Sequence, residues 1–576
     1  MPHAVTIATP GLQALILCGP GSSFPTFTAN PDENPKALLP IANRPMVWYP
    51  LDFCYRAGIT DITLVCPPSA AAAIDTALKT NPFLTSLPYP SPELLSPKGL
   101  DQNTGTAEIL RLPELQSAVK SDFLVLPCDL VCELGADKLL QAWMVKSASL
   151  PDLLGDSRSP HGQRSGGLGV WYQTKTATPI KGEETDFMAT VPLPSSTVLP
   201  PKGSLFPDIS KLVYSLPTDS LKDLLEEKKG FPIRHGLLRS HPRIRMLATH
   251  RDAHIYILPH WIMEFIKEND RLETIGEDVV GWWAKAGWQK GLSTKLGLDK
   301  ILGTTDDSRE EEEKKKKSAQ GNNGSPAPSE NGAHEEESTS STSFNPSRRR
   351  HSYSDKDKNY SPLSDHDAQP SLPPMLAYVH PSQPTAPLIR RVDTAQLLLQ
   401  ISLQLAKLPS VEEAGGSGQE AASPFAHARK VAYPEGVKAR TTITKQDSLV
   451  AENVTVQERT SIKECVIGAN CQINEGAKLS QCLLMDGVVV GKNCKLTKCI
   501  LGKRSEIGEG CVLTDCEVQE NLLVEPKTEA KEEKFMSSSG LEAQDSDDQE
   551  DDDNDEDDDE DDGAGGDDWD EDDDDA

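Results

Sequence analysis

Three consecutive stretches of 17 residues, CVIGANCQINEGAKLSQ (465–481), CLLMDGVVVGKNCKLTK (482–498) and CILGKRSEIGEGCVLTD (499–515), share one pattern. An aliphatic residue recurs at every sixth position within each stretch. A helix of 3.6 residues per turn cannot keep this rhythm on one face. The pattern instead predicts a triangular coil with one inward aliphatic residue on each of three short faces. The inward positions between 448 and 525 are Val450, Val456, Ile462, Ile467, Ile473, Leu479, Leu484, Val490, Leu496, Leu501, Ile507, Leu513, Val518 and Val524.

Glycine and cysteine occupy fixed places in this repeat. Glycines follow inward positions, where a tight corner needs a permissive backbone, at Gly468, Gly491, Gly502 and Gly508. Cysteines recur every 17 residues and should form one column, at Cys465, Cys482, Cys499 and Cys516. Such a column could be a metal ladder, or it could consist of small side chains packed inside a corner. Side chains stacked in parallel, about 4.8 Å apart, cannot surround one ion tetrahedrally, which favours packing.

The repeat resembles the left-handed parallel β-helix of the hexapeptide-repeat family. Many members of that family are acyltransferases that use a histidine as the base. No histidine follows His427 in this chain, which argues against acyl transfer and favours a structural or assembly role. The faces and ends of solenoids are well suited to bind neighbouring proteins.

Residues 11–302 alternate apolar runs with helical patterns, as is typical of an α/β domain. Apolar runs at 12–18, 61–66 and 122–127 predict buried strands. The pattern from Pro45 to Ala57 predicts a helix that begins near the proline.

A glycine-rich turn, Gly19-Pro-Gly-Ser-Ser-Phe24, follows the first predicted strand, and PKALLPIANRP stands further on at 35–45. Gly19 and Gly21 could let backbone N–H groups approach a phosphate, or they could be plain turn residues. Together the two segments resemble the nucleotide-sugar pyrophosphorylases, a nucleotidyltransferase superfamily with a doubly wound, Rossmann-like sheet.

This resemblance implies two sets of site residues. The nucleotide-binding residues that it implies are Gly19, Gly21, Lys36, Gly105, Thr106 and Ala107. Asp129, two residues after the predicted strand at 122–127, matches the family's first magnesium-binding aspartate. Asp393, ahead of a predicted helix, resembles the second.

Ser23 departs from the family's pattern, which has Gly-x-Gly-Thr-Arg-Leu with the arginine near the triphosphate. Attack on an α-phosphate needs cations and metal to neutralise the developing charge. Losing the guanidinium removes a bidentate phosphate partner. We therefore expect a vestigial or regulatory nucleotide site with no catalytic residue and no required cofactor. Residual binding of nucleotide and Mg²⁺ stays open.

Composition divides the rest of the chain. Residues 303–371, rich in charge and serine, cannot bury enough apolar area to offset chain entropy, and they predict a disordered insertion. The remaining predicted segments are a flexible N-terminus at 1–10, a return to the α/β domain at 372–412, a linker at 413–430, the β-helix at 431–526 and a disordered acidic tail at 527–576. Of the net charge of −31, residues 541–576 contribute 24 acidic and no basic side chains, which leaves −7 for the first 540 residues.

The sequence also predicts where the protein is found and which ligands it excludes. Twelve cysteines without a signal-peptide pattern indicate a reducing compartment, and no apolar run reaches the roughly 18 residues of a membrane helix. We therefore expect a cytosolic protein that binds no membrane. No basic face with interleaved aromatic residues is visible, so direct binding of nucleic acid is not expected.

The whole chain resembles the gamma-subunit family of the guanine-nucleotide exchange complex for eukaryotic translation initiation factor two, over about 11–300 and 375–525. The related epsilon subunit continues into a large helical catalytic domain, for which the residues after Val524 leave no room. The resemblance implies a chain that is not an enzyme by itself. It implies a hetero-oligomer in which this chain pairs with epsilon on a core of alpha, beta and delta subunits, two copies of each, and helps dock initiation factor two.

Two other functions stay open. An active sugar-nucleotide pyrophosphorylase, of the GDP-mannose or ADP-glucose type, would turn over a nucleoside triphosphate with magnesium. A regulatory sensor would bind a nucleotide at the same site without turning it over.

Overall fold

The computed structural model describes residues 11–100, 103–147, 165–175, 180, 183–194, 200–231, 233–302, 372–383, 386–414 and 423–537. The predicted flexible N-terminus, the predicted insertion at 303–371 and the acidic tail from 538 onward lie outside the described residues. Within the described part of the chain, no helix has the length and apolar character needed to cross a membrane.

The N-terminal region is an α/β domain. Its strands are β1 (Gln13–Leu17), β2 (Pro40–Ile41), β3 (Arg44–Pro45), β4 (Asp61–Val65), β5 (Glu93–Leu95), β6 (Phe123–Pro127), β7 (Leu130–Cys132), β8 (Gly167–Gln173), β9 (Asp186–Pro192), β10 (Ile209–Pro217), β11 (Arg245–Leu258), β12 (Met375–Val379) and β13 (Ile389–Arg391). The helices in and directly after this domain are α1 (Trp48–Arg56), α2 (Pro68–Thr80), α3 (Pro82–Thr85), α4 (Thr106–Arg111), α5 (Pro113–Ala118), α6 (Ala136–Ser147), α7 (Thr218–Lys228), α8 (His235–Ser240), α9 (Trp261–Glu268), α10 (Gly281–Ala286), α11 (Leu292–Lys295), α12 (Ala395–Ala406) and α13 (Val411–Ala414).

The main sheet has nine strands in the order β5-β4-β1-β6-β11-β8-β12-β10-β9. Strand β1 lies parallel between β4 and β6, while β11 runs antiparallel to β6. Alternate residues of β1 enter opposite cores: Ala14 and Ile16 pack in one, and Leu15 packs in the other. A strand buried on both faces explains why the sequence reads as an unbroken apolar run. The predicted α/β class and doubly wound sheet are confirmed.

The chain after the predicted insertion returns to this sheet. Strand β12 pairs in parallel with β8 and antiparallel with β10. Strand β13 pairs with β7, and Val392 N donates to the carbonyl of Asp129 at 2.9 Å. Residues 372–406 are therefore part of the α/β domain, and they place Arg391 and Asp393 beside Asp129.

The C-terminal region is a β-helix whose short strands form three parallel sheets. One sheet consists of β14 (Thr442–Ile443), β17 (Ser461–Lys463), β20 (Lys478–Ser480), β23 (Lys495–Thr497), β26 (Val512–Thr514) and β29 (Glu529–Lys531). The second consists of β15 (Leu449–Val450), β18 (Val466–Ile467), β21 (Leu483–Leu484), β24 (Ile500–Leu501), β27 (Glu517–Val518) and β30 (Lys534–Phe535). The third consists of β16 (Thr455–Val456), β19 (Gln472–Ile473), β22 (Val489–Val490), β25 (Glu506–Ile507) and β28 (Leu523–Val524).

The register of the β-helix follows the repeat. Leu479 pairs with Leu496, which in turn pairs with Leu513, each step being 17 residues. All the predicted inward aliphatic residues are buried in one core. The predicted β-helix is therefore confirmed.

The cysteine column is buried inside this β-helix. Each thiol donates to the carbonyl two residues before it, from Cys465 to Lys463 at 3.1 Å and from Cys482 to Ser480 at 3.3 Å. Cys499 and Cys516 repeat this contact at 3.3 Å. Among the described residues, no group of three or more His, Cys, Asp or Glu side chains is placed to hold a metal ion. The four thiols are buried in the core of the β-helix and hydrogen-bonded to the backbone.

Two predicted boundaries differ from the structure. The sequence predicts a β-helix that ends at 526 and a disordered tail that begins at 527, but strands β29 and β30 continue the coil to Phe535. The repeat is hard to see there because the inward positions hold Ala530 and Phe535 within a run of charged residues. The linker predicted at 413–430 also includes packed residues, since Phe425 and Lys430 are buried.

The β-helix packs directly on the α/β domain. Outward residues of its second sheet, including Val466 and Leu483, join the core that contains α12. The strap of residues 423–430 crosses between the two regions. Arg44 donates to the carbonyls of Phe425 and Ala426 at 2.9 and 3.0 Å. These contacts make the two regions one packed unit.

Candidate functional site

A cavity of about 400 Å³ opens at the carboxyl ends of β1 and β6. The order of strands reverses beside β1, and α/β sheets commonly bind ligands at such a point. Of the predicted site residues, the cavity wall contains Gly19, Lys36, Thr106 and Asp129. Its apolar wall includes Leu17, Val65, Leu100 and Ile109.

Asp129 is held by two cations of the chain itself. Lys36 Nζ lies 2.8 Å from Asp129 Oδ2, and Arg391 Nε lies 3.8 Å from Oδ1. The carboxylate is 2% exposed. Burial alone would raise the pKa of Asp129, but Lys36 and Arg391 outweigh burial and hold the pKa below its ordinary value. The Asp129 carboxylate is therefore ionised, and the positive charges of Lys36 and Arg391 already balance its negative charge.

Asp393 is held in the same way. Arg251 forms a two-pronged contact with it, at 2.6 Å to Oδ2 and 3.2 Å to Oδ1. Arg391 Nη2 lies 3.3 Å from the same Oδ2. Arg391 thus joins Asp129 to Asp393. The structure brings the two predicted magnesium-binding aspartates together, but it places a guanidinium between them.

The donor set does not fit a magnesium ion. Mg²⁺ binds through carboxylate oxygens, and the carboxylates here face Lys36, Arg251 and Arg391. Asp129 Oδ1 and Arg391 Nε both lack a hydrogen-bond partner, and they face each other at 3.8 Å. Each of these two atoms therefore has the other as its oppositely charged neighbour, so a missing cation is not needed to explain either one.

The predicted Gly-Thr-Ala motif supports a neighbouring loop. A Cβ on Gly105 would lie 2.2 Å from the carbonyl oxygen of Glu273, so only glycine fits. Ala107 N donates to that same carbonyl at 2.8 Å. Thr106 Oγ1 accepts from Ile275 N at 2.9 Å. These contacts hold the loop at 273–276, of which Thr274, Ile275 and Gly276 line the cavity.

The glycine-rich turn leads into a segment that contacts the β-helix. Gly21 has a φ of +102°, and its carbonyl accepts from Phe24 N at 2.8 Å, as in a tight turn. Beyond it, Thr26 Oγ1 donates to Glu517 at 2.8 Å. Glu33 pairs with Arg504 at 2.9 Å. The chain just beyond the glycine-rich turn is thus held by the β-helix.

Sequence reasoning missed a group of polar residues on β11. The strand bulges between Asp252 and Tyr256, and His254 there has a φ of +52°. Burial, with Arg391 nearby, lowers the pKa of His254 well below its ordinary value, so the imidazole is neutral. Arg391 Nη1 lies 3.2 Å from His254 Nε2, which accepts. One signal was available: the charged and imidazole side chains of His250, Arg251, Asp252 and His254 stand directly before the apolar end of the strand.

Asp252 provides a pH-dependent prediction. Burial, with Asp186 adding to it, raises the pKa of Asp252 to about 7, from an ordinary value of 3.8. Because the folded state favours the protonated form, its contribution to stability is complete below about pH 4 and is lost as the pH rises towards 7. We expect Asp252→Asn to gain stability relative to the unchanged protein between pH 5 and pH 8. Paired thermal melts at the two pH values measure this, and an unchanged difference would contradict it.

Two family models match the chain. One, described as "Nucleotidyl transferase", covers residues 30–156, and the other, described as "EIF2B subunit epsilon LbH domain", covers residues 431–537. LbH denotes a left-handed β-helix. The fold and the site therefore define a nucleotidyltransferase domain followed by a left-handed β-helix.

The relatives are more specific. The chain is 26% identical over 300 residues to "Translation initiation factor eIF2B subunit gamma" of Schizosaccharomyces pombe, covering 51% of this chain and 56% of the relative. It is 22% identical over 270 residues to the protein of the same name from Caenorhabditis elegans, covering 47% of this chain and 57% of the relative. The chain thus spans just over half the length of the curated relatives it matches.

Proposed function

We propose that this chain is a non-catalytic subunit of the guanine-nucleotide exchange factor that releases GDP from translation initiation factor two. One observation carries the non-catalytic part of the proposal. The aspartates that would hold magnesium in a nucleotidyltransferase, Asp129 and Asp393, are ion-paired with Lys36, Arg391 and Arg251. The similarity to relatives named eIF2B subunit gamma supports the choice of complex.

The ion pairs weigh against nucleotidyl transfer. The reaction needs metal and cationic side chains to neutralise the charge that develops on the phosphates. Lys36 is the expected phosphate contact, yet its ammonium lies 2.8 Å from Asp129. A triphosphate with magnesium would have to break this pair and displace the guanidinium of Arg391. Ser23 supplies no replacement positive charge. The pyrophosphorylase alternative is therefore disfavoured.

The fold supports an assembly role. The second sheet of the β-helix is covered by the α/β domain, so the first and third sheets are left to meet other chains. We propose the epsilon subunit as the direct partner and, through it, the alpha, beta and delta subunits, in the cytosol. Exchange is then promoted by favouring a conformation of initiation factor two that holds GDP weakly, for which no acid, base or nucleophile of this chain is needed.

Nucleotide-release kinetics test the proposal. Labelled GDP is loaded on initiation factor two, and its release is followed with the complete complex and with a complex assembled without this chain. We expect faster release with the complete complex. Equal release rates from the two preparations would contradict the proposal.

A turnover assay distinguishes the proposed function from the main alternative, an active sugar-nucleotide pyrophosphorylase. The purified chain is supplied with GTP, mannose 1-phosphate and magnesium, and pyrophosphate release is measured. We expect no release above the background given by the Asp129→Asn variant. Turnover that this substitution abolishes would establish a pyrophosphorylase instead. Calorimetry with GTP, GDP and GDP-mannose tests the regulatory-sensor alternative, which fails if none of the three binds.

A further inference from the structure

Three cysteines lie side by side at the carboxyl edge of the main sheet. Cys66, Cys18 and Cys128 each directly follow one of the adjacent strands β4, β1 and β6. The register places Leu17 beside both Val65 and Pro127, so Cys18 stands between the other two cysteines. Its amide donates to the carbonyl of Val65 at 2.8 Å, and the amide of Cys128 donates to that of Leu17 at 3.0 Å. The strands thus hold the three residues in fixed positions.

Only two of these cysteines form a pair at the cavity. Cys18 and Cys128 both line the cavity, whereas Cys66 does not. Adjacent strands lie about 4.8 Å apart, within the range of about 4.4–6.8 Å between the Cα atoms of a disulfide. All twelve cysteines of the chain are free thiols in the structure. The pair therefore has the spacing for a bond and a route for a small reagent.

We propose that Cys18 and Cys128 form a redox-reactive dithiol at the wall of the cavity, and that hydrogen peroxide converts it to a disulfide. One sulfur attacks the O–O bond of the peroxide and forms an S–O bond, and a first molecule of water leaves. The second sulfur then attacks this sulfenic acid and forms the S–S bond, and a second molecule of water leaves. The two thiols supply the two electrons that reduce the peroxide, and a dithiol reductant reverses the change.

The β-helix contains a matched set of buried thiols. Cys482 lies between Cys465 and Cys499, one coil away on either side. These residues lie in the core of the β-helix, and none of them lines the cavity. Oxidation of a pair of thiols depends on the access of the reagent as well as on the distance between the two sulfur atoms. If the cavity admits the reagent, the pair at 18 and 128 must react while the column in the β-helix stays reduced.

Peptide mapping of the unmodified full chain, in its native complex, tests the proposal. The reduced protein is treated with hydrogen peroxide, remaining thiols are alkylated, and the digest is analysed by mass spectrometry. We expect a peptide that joins Cys18 to Cys128 and that a dithiol reductant removes. Cys482 and Cys499 should remain fully alkylated. A bond between Cys18 and Cys66, earlier oxidation of the β-helix column, or oxidation of Cys128 without a bond to Cys18 would each overturn the proposal.

Single substitutions provide a second test of which cysteines form the bond. Cys18→Ser and Cys128→Ser should each abolish the joined peptide. Cys66→Ser, the matched control one strand away, should leave it intact. The map of the unmodified protein decides the question by itself, so a variant that fails to fold does not leave the proposal untested.

Discussion

Replacing Asp129 by asparagine is expected to lower the free energy of unfolding of the α/β domain by about 3–5 kcal/mol, the usual result of removing one partner of a buried ion pair. Asp129 is 2% exposed, and its removal leaves the ammonium of Lys36 and the guanidinium of Arg391 without that counter-charge. The side chains of Lys36 and Arg391 are themselves only 12% and 15% exposed, so water cannot replace the carboxylate. Denaturant unfolding, monitored by tryptophan fluorescence, measures the change.

The direction of this effect distinguishes the proposed subunit from an enzyme. In a magnesium-dependent site, the metal-binding carboxylate is kept for turnover, and removing it commonly leaves stability unchanged or raised. In this chain we expect the same carboxylate to stabilise the fold through its ion pairs. Asp75→Asn provides the control, because its pair with Lys79 is about half exposed and should contribute less than about 1 kcal/mol. Equal small effects from both substitutions would contradict a structural role for Asp129.

Replacing Phe425 by alanine is expected to cost about 3–5 kcal/mol, because it removes a buried ring and leaves a cavity. Phe425 is 1% exposed and contacts the ring of Tyr49 edge-on at 5.1 Å. The carbonyl of Phe425 accepts from Arg44, whose guanidinium lies 4.4 Å from the ring of Trp48. The strap should therefore loosen from the α/β domain. Hydrogen exchange is expected to rise at residues 423–430.

The same experiment has a matched aromatic control further along the chain. Tyr433 is 38% exposed, so Tyr433→Ala should cost clearly less than Phe425→Ala and leave exchange at 423–430 unchanged. Limited proteolysis within 423–430 gives a second readout, with faster cleavage expected only in the Phe425 variant. Protection of this segment in both variants would show that Phe425 does not anchor the strap.

The β-helix could be predicted because its signal is periodic and local. Every coil repeats the same requirement, one inward aliphatic residue on each face, and positions such as Leu484 and Leu501 satisfy it in succession. The repeat is harder to recognise where residues other than valine, isoleucine and leucine fill the inward positions. Ala530 and Phe535 fill the last coil, so its boundary was placed too early. The apolar strands of the α/β domain were found for a similar reason, since burial on both faces leaves an unbroken apolar run.

The candidate site could be predicted only in part. Family resemblance placed Lys36 and Asp129 together, and they are 2.8 Å apart. It could not indicate that their charges neutralise each other. Arg391 was overlooked because it is distant from Asp129 in sequence, and the pairing of β13 with β7 brings it close. The roles of Gly105 and Gly21 depend on local contacts, with Glu273 and within a turn, which a motif does not encode.

The most direct test of the central claim is purification of the tagged native protein at modest salt, with quantitative mass spectrometry of everything that accompanies it. A subunit of the exchange factor should be recovered with four other subunits of the complex in equal amounts, and with initiation factor two in smaller quantity. Recovery of this chain alone, or only with copies of itself, would contradict the proposed function and return attention to the turnover assay.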